Sequence, residues 1–146
     1  MNFNKLLAIL INYHHNFRIL HWKVTGVHFE EYHEICANYY ETLQEHIDTV
    51  AELGLSYDEQ PLGLVEAFEL LAKDKEDYKI IDPNHDYDEQ DIIENVEIMF
   101  TDIMNAIDKL LKESKVDKNP GTRSDLENLY SYYNIECNYK NKRRKK

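Results

Sequence analysis

Apolar and ring-bearing residues recur at steps of three and four from the start of the chain. Phe3, Leu7, Leu10, His14, Phe17 and His21 form one stripe of an amphipathic helix that runs to about Val24. Gly26 ends it. A second helix is predicted from about Glu30 to Leu53, with Cys36, Leu43 and Val50 at steps of seven and Tyr32, Tyr39, Tyr40 and Ile47 widening the apolar face. Gly54, Ser56, Asp58, Pro61 and Gly63 mark a connection in which Leu64 to Ala72 suffice for only a short helix. From Lys73 to Asp91 the chain is charged and holds Pro83, a pattern expected of a surface loop ending in the acids Asp86, Asp88 and Glu89. Ile92, Val96, Met99, Ile103, Ala106 and Leu110 then form the stripe of a third helix, with Lys109, Lys112 and Lys115 at its end to complement the helix dipole. After the break at Asn119, Pro120 and Gly121, Thr122 is the expected N-cap, with Asp125 three residues on, and a fourth helix carries Leu126, Leu129, Tyr130 and Tyr133. No β pattern competes. The pattern predicts an all-α four-helix bundle whose second and third helices run parallel, joined by a long crossover that carries the short helix.

At 146 residues the chain suits one domain with its own core. The N-terminal apolar run is interrupted by Asn4, Lys5, Asn12, His14 and His15, so neither a secretory leader nor a membrane span is expected, and the expected location is the cytoplasm. Cys36 and Cys137 form no CxxC and are too few for a disulfide framework; Cys36 reads as a small buried apolar residue and Cys137 as an ordinary thiol near the end. The net charge of -11 is uneven. Lys140, Lys142, Arg143, Arg144, Lys145 and Lys146 place six cations in the last seven residues, which leaves -17 for residues 1–139. Residues 1–139 are therefore read as the bundle domain and residues 140–146 as a basic, disordered tail able to hold DNA or another polyanion, or else simply to aid solubility. No phosphate-cradling glycine loop, nucleophile elbow or internal repeat is present.

The chemistry-bearing residues are His21, His33, Asp48 and Glu52, at separations of 12, 15 and 4. Imidazole and carboxylate together suit a divalent metal such as iron or zinc. Asp48 and Glu52 are i, i+4 on one helix face, so their carboxylates converge. His33 lies 15 residues earlier on the same predicted helix, roughly 22 Å away at about 1.5 Å per residue, so one chain cannot bring it to the same ion. Two chains packed antiparallel about a twofold axis can, which makes a symmetric dimer with a shared interface site the expectation.

The stretch LHWKVTGVHFEEYHEICANYYETLQEHIDTVAELG resembles the Dps family, the ferritin-like DNA-binding proteins of starved cells. The resemblance rests on His21-Trp22, Gly26, Phe29, His33-Glu34, Ile47-Asp48 and Ala51-Glu52, on Pro61 and Gly63 in the crossover, and on Gly121-Thr122 with Leu126 at the last helix. It implies a ferritin-like four-helix bundle assembled as a hollow homododecamer, which oxidises Fe(II) with peroxide or oxygen at sites shared across twofold interfaces, stores the ferric mineral and often shields DNA. It further implies that His21 of one subunit, with Asp48 and Glu52 of its partner, holds the first iron, and that His33 serves the second. Trp22 would be an oxidisable aromatic beside them. Acidic Asp117 and Asp125 are placed where an iron access pore would be.

Two positions depart from the family's pattern. The aspartate usual four residues after the second histidine is Ala37, and the arginine usual after the Ala-Glu pair is Leu53. The second iron position thus lacks its carboxylate, with Glu34 and Glu41 the acids near enough on the helix to be considered in its place. His46, roughly 200° around the helix from Asp48, is expected at the surface, as is His85. Two readings stay open: an iron-oxidising, iron-storing cage, with zinc a possible substitute metal, or a non-catalytic Dps-like assembly with a degenerate metal site that binds a polyanion.

Overall fold

The first two stripes form a long helical hairpin. α1 spans Phe3–Lys23 and α2 spans Phe29–Ser56 in a computed structural model that describes residues 2–73 and 78–145. Gly26, with φ of 115°, makes the turn between them in a conformation that L side chains rarely adopt. Gly54 acts through space instead. A Cβ there would lie 3.2 Å from Cβ of Phe3, so the glycine lets the end of α2 close onto the start of α1.

α3, Leu64–Lys73, is the short helix of the crossover. The segment that follows differs from the expected surface loop, of which residues 74–77 lie outside the described residues. Its later part is tied into the bundle: the Asn16 side-chain amide donates to the Lys79 carbonyl at 2.8 Å, and the Lys79 N–H donates to the Tyr13 hydroxyl at 3.1 Å. That hydroxyl in turn donates to Asp102 at 2.5 Å, and Ile81 and Tyr87 are buried. The polar side chains that suggested a loop face outward, while the backbone between them finds partners on α1.

A parallel bridge between Val24 and Tyr87 then sets the topology. The Thr25 N–H donates to Tyr87 at 2.8 Å and the Tyr87 N–H donates to Lys23 at 3.0 Å, so α4 (Glu89–Leu111) starts beside the end of α1, where α2 also starts. α2 and α4 therefore run in the same direction, which is why a crossover is needed. Asp88 caps α4, its carboxylate accepting from the Asp91 N–H while Asp91 reaches back to the Asp88 N–H.

α5 (Ser114–Asp117) is a single turn, and α6 spans Pro120–Asn134. Its cap is Asn119 rather than the expected Thr122: the Asn119 side-chain oxygen accepts from the Thr122 N–H at 3.2 Å, and Pro120 fills the first helical position, where no N–H is needed. The Thr122 hydroxyl accepts from Tyr57 instead, at 3.1 Å.

The C-terminal segment also departs from expectation. Helical structure continues through a π-helical turn, Ile135–Asn141, into α7, Lys142–Arg144, so the residues expected to form a disordered tail from 140 onward are ordered through the described part. Lys146 lies outside it. The cause is burial of Cys137 and Asn141 against α4, with the Asn141 amide donating to the Ile93 carbonyl at 2.9 Å. Sequence composition reports the charge of this segment and misses the two small residues that anchor it.

The core is unusually aromatic. Phe100 lies 5.5 Å from Phe17, 4.9 Å from Tyr39 and 5.0 Å from Tyr133, in tilted and edge-on arrangements that suit ring quadrupoles. None of the described helices is long and apolar enough to cross a membrane.

Candidate metal centre

His21 belongs to the last turn of α1 and His33 to the second turn of α2, and the Gly26 turn brings them face to face. Their rings stack at 3.6 Å with 17° between planes. Each imidazole is fixed by the other residue's backbone: Nδ1–H of His21 donates to the His33 carbonyl, and Nδ1–H of His33 donates to the His21 carbonyl, both at 2.6 Å. A carbonyl can only accept, so Nδ1 carries the hydrogen in both rings, and the neutral ring then presents a bare lone pair at Nε2. Backbone-held Nδ1–H is the arrangement that orients a histidine for metal binding through Nε2. It also satisfies a carbonyl of the final turn of α1 that has no helical partner. Phe29 extends the stack from His33 at 5.0 Å.

Asp48 and Glu52 lie farther down α2, one turn apart, both exposed. Neither takes a hydrogen bond or ion pair among the described residues. A single chain does not bring them to the histidine pair, and no group of three or more His, Cys, Asp or Glu among the described residues of one chain is placed to hold a metal ion. The donor types on this face nevertheless fit Fe(II): two oriented imidazoles, and two carboxylates that meet no internal cation.

The remaining candidates divide sharply. Trp22 is 58% exposed, its ring nearest to His15 at 6.1 Å. Ala37 is half-buried one turn after His33, and Glu34 and Glu41 are both exposed. His46, expected at the surface, is half-buried; its Nδ1 shares a 2.6 Å hydrogen bond with the fully buried Tyr133 hydroxyl. Burial lowers the His46 pKa to about 4. Expectation failed here because α6 covers that side of α2, which a helical wheel of α2 alone does not show. His85 is exposed with its ring 5.0 Å from Tyr87, and Asp117 pairs with Arg123 at 3.4 Å. Cys36 is fully buried, which pushes its thiol up to about 12, and Cys137 is buried with its thiol likewise raised.

The tail cations are partly engaged. Lys140 pairs with Glu136 at 2.8 Å, Arg144 donates to the Tyr39 hydroxyl at 3.1 Å, and Lys145 pairs with Glu97 at 2.6 Å. Lys142 and Arg143 are exposed. One residue of the metal face escaped the sequence reading. Tyr40 was placed only as a widening of the apolar stripe, yet its ring meets His21 edge-on at 5.5 Å, with the Arg18 guanidinium 4.5 Å from its centre. The available signal was spacing: Tyr40 is seven residues from His33, two turns along the same face.

Beside this face an apolar groove of about 820 Å³ opens between α1, α3 and the extended segment from Tyr78 to Ile81. Ile47 of α2 reaches it, and Leu64, Val65, Phe68 and Ile80 on its walls are exposed in the single chain.

Residues 2–133 match the family described as Ferritin-like domain. An uncharacterized low temperature-induced protein of Nostoc is 39% identical over 56 residues, 38% of this chain; the match spans about a third of that relative's length, 31%. Among solved structures, Dps from Staphylococcus aureus superposes with a TM-score of 0.78 at 18% identity, covering 97% of this chain and 90% of that one. The Dps protein of Vibrio cholerae O1, described as one of a broad superfamily of ferritin-like diiron-carboxylate proteins, gives 0.77 at 22% identity, covering 92% and 81%. Dps92 of Deinococcus radiodurans gives 0.74 at 21%, covering 93% and 81%. At these identities the likeness shows the fold, which is that of Dps proteins.

Proposed function

The chain belongs to the ferritin-like domain family, and from that premise we propose that it is a Dps-like protein that binds and oxidises Fe(II) at a site shared between two subunits. His21 and His33 of one subunit would supply imidazole Nε2 ligands, and Asp48 and Glu52 of its partner would supply the carboxylates. The observation that carries this reading is the reciprocal Nδ1–H bonding of the histidine pair, which leaves a lone pair on Nε2 of each neutral ring. Hydrogen bonds this short hold the rings in place before iron arrives, so little ordering remains to oppose binding. Asp48 and Glu52 would neutralise the ferrous charge and favour the ferric product, which carries one charge more. Trp22, next to His21 in sequence, would be an oxidisable neighbour.

A second copy is the natural cover for Leu64, Val65, Phe68 and Ile80, since a contiguous apolar surface of this kind is rarely left in water. By analogy with the fold neighbours, twofold dimers would build a homododecameric cage of residues 1–139 that stores ferric iron inside. DNA contact through Lys140, Lys142, Arg143, Arg144, Lys145 and Lys146 is the further element of this reading, and Lys142 and Arg143 are its most available cations. Cytoplasmic location accompanies it. Zinc would compete at the same ligands, because nitrogen and oxygen donors bind it more tightly than ferrous iron.

Ala37 favours a second reading. With no carboxylate one turn after His33, the second metal position has lost a ligand, and the assembly would then be structural or polyanion-binding. One experiment separates the two. Anaerobic addition of hydrogen peroxide to the Fe(II)-loaded protein is followed by ferric absorbance, for the wild type and for Asp48→Ala. Fast oxidation lost in the variant supports the ferroxidase; equal slow rates overturn it.

A further inference from the structure

The basic end of the chain carries more than charge. Lys142 and Arg143 are exposed, and about one turn before them Tyr139 is 60% exposed, with Ile135 exposed a further turn back. Among the described residues, no ring contact or side-chain hydrogen bond holds the Tyr139 ring. The π-helical turn produces this arrangement. In an α-helix, positions four apart drift by about 40° around the axis, whereas i→i+5 bonding puts more residues into each turn and checks the drift. Cys137 and Asn141 therefore both face α4, and Ile135, Tyr139 and Arg143 line up on the outer side.

We propose that this outer ridge is a stacking site for single-stranded nucleic acid, in which Tyr139 takes a base and Lys142 and Arg143 take the phosphates beside it. The inference rests on the reading above that the basic end contacts nucleic acid, and replaces charge alone with a recognition surface. Two arguments select a single strand. In a duplex the base faces are stacked on one another and out of reach, so an exposed phenol gains nothing there. A single strand offers a free π-face to an aromatic side chain, and its phosphates to the cations around it.

Charge works in the same direction. Lys140, Arg144 and Lys145 are engaged with Glu136, Tyr39 and Glu97, which leaves Lys142 and Arg143 to release counterions from the strand. Two cations hold a duplex weakly, and a duplex brings about one negative charge per 1.7 Å against the -17 of residues 1–139. A single strand brings fewer phosphates to that acidic body, and stacking adds the affinity that the cations do not supply. Other exposed apolar residues serve less well. Val27 and Phe29, at the α1–α2 turn, share their surface with Glu30 and Glu31, which repel phosphate.

The test is fluorescence anisotropy on the full-length protein at low salt, with a labelled oligodeoxythymidine and a labelled duplex of the same length. The wild type is expected to bind the single strand several-fold more tightly. Tyr139→Ala should lose about tenfold of that affinity, Tyr139→Phe should keep it, and neither should change duplex binding. Lys142→Ala should weaken both. Irradiation of the wild type with an oligonucleotide that carries 5-iodouracil should cross-link residue 139, identified by peptide mass spectrometry, a readout that needs no variant to fold. Duplex bound as tightly as the single strand, single-strand affinity unchanged in Tyr139→Ala, or cross-links only at other residues overturns the proposal. If Lys142→Ala still weakens binding in that case, contact by charge alone stands. Binding of neither oligonucleotide by the wild type overturns both readings.

Discussion

The histidine pair and the carboxylate pair lie on one helical hairpin, yet only the first is finished within a chain. His21 and His33 are stacked, aimed and tied by the backbone of the turn. Asp48 and Glu52 stand exposed on regular helix with nothing to direct them. The difference follows from position. His21 and His33 sit where α1 and α2 meet, so each ring reaches a carbonyl on the other helix, whereas Asp48 and Glu52 stand away from that corner with no such neighbour. Half of the candidate site is thus ordered by the fold, and the other half waits for something to meet it.

The largest expected effect tests whether the waiting half matters. Asp48→Ala should slow first-turnover Fe(II) oxidation by about 100-fold or more, as loss of a charged ligand does at metal sites, measured by stopped-flow absorbance. An unchanged rate would remove Asp48 from the site. Next comes a mixing experiment on the proposed division between chains. His21→Ala and Asp48→Ala are each expected to be inactive, but unfolded together and refolded they should regain about one quarter of wild-type activity, because half of randomly formed twofold pairs are mixed and each mixed pair holds one intact site. No recovery would place the histidines and acids of one site on the same chain.

Ala37→Asp sharpens the comparison by adding a carboxylate to the finished half. Anaerobic calorimetric titration with Fe(II) should then show more ions bound per chain than in the wild type. His46 provides the contrast of a histidine enclosed between helices, where burial and the Tyr133 hydroxyl hold it. Burial lowers its pKa from 6.5 to about 4, so the unfolded chain takes up the proton first. This contribution is complete above about pH 6.5, is lost as the pH falls towards 4, and levels off below that. Allowing for partial solvent screening it amounts to about 1 kcal/mol, to be read as the difference in urea midpoint between pH 7 and pH 4.5 for wild type and His46→Gln. The smallest effect is Glu97→Gln, which frees Lys145: a few tenths of a kcal/mol in stability and a modest gain in DNA retention on gels at low salt.

Apolar spacing was enough to place the helices, because the first three stripes each repeat over about five turns and local breakers mark their ends. Thr122 shows the limit of that kind of reading. Asn119 and Thr122 both have side chains suited to a cap, and Pro120 decides in favour of Asn119 by taking the first helical position. The segment before α4 and the C-terminal segment were misread for a different reason. Both are rich in charge, yet their fate turns on single contacts made across the bundle, Asn16 with Lys79 and Asn141 with Ile93, separated by 63 and 48 residues. No window of sequence contains both partners.

The sequence by itself determined the four main helices, the parallel course of the second and third, the ligand types, and the distance along α2 that keeps His33 from Asp48. Those are properties of local periodicity and of a rise fixed per residue. Tertiary structure alone decided which ring nitrogen is presented, that Tyr40 lies against His21, that His46 is enclosed, and that the basic end is helical. Each of these depends on atoms brought together by packing between helices, where ångström separations are set by the shapes of neighbouring side chains rather than by their order in the chain.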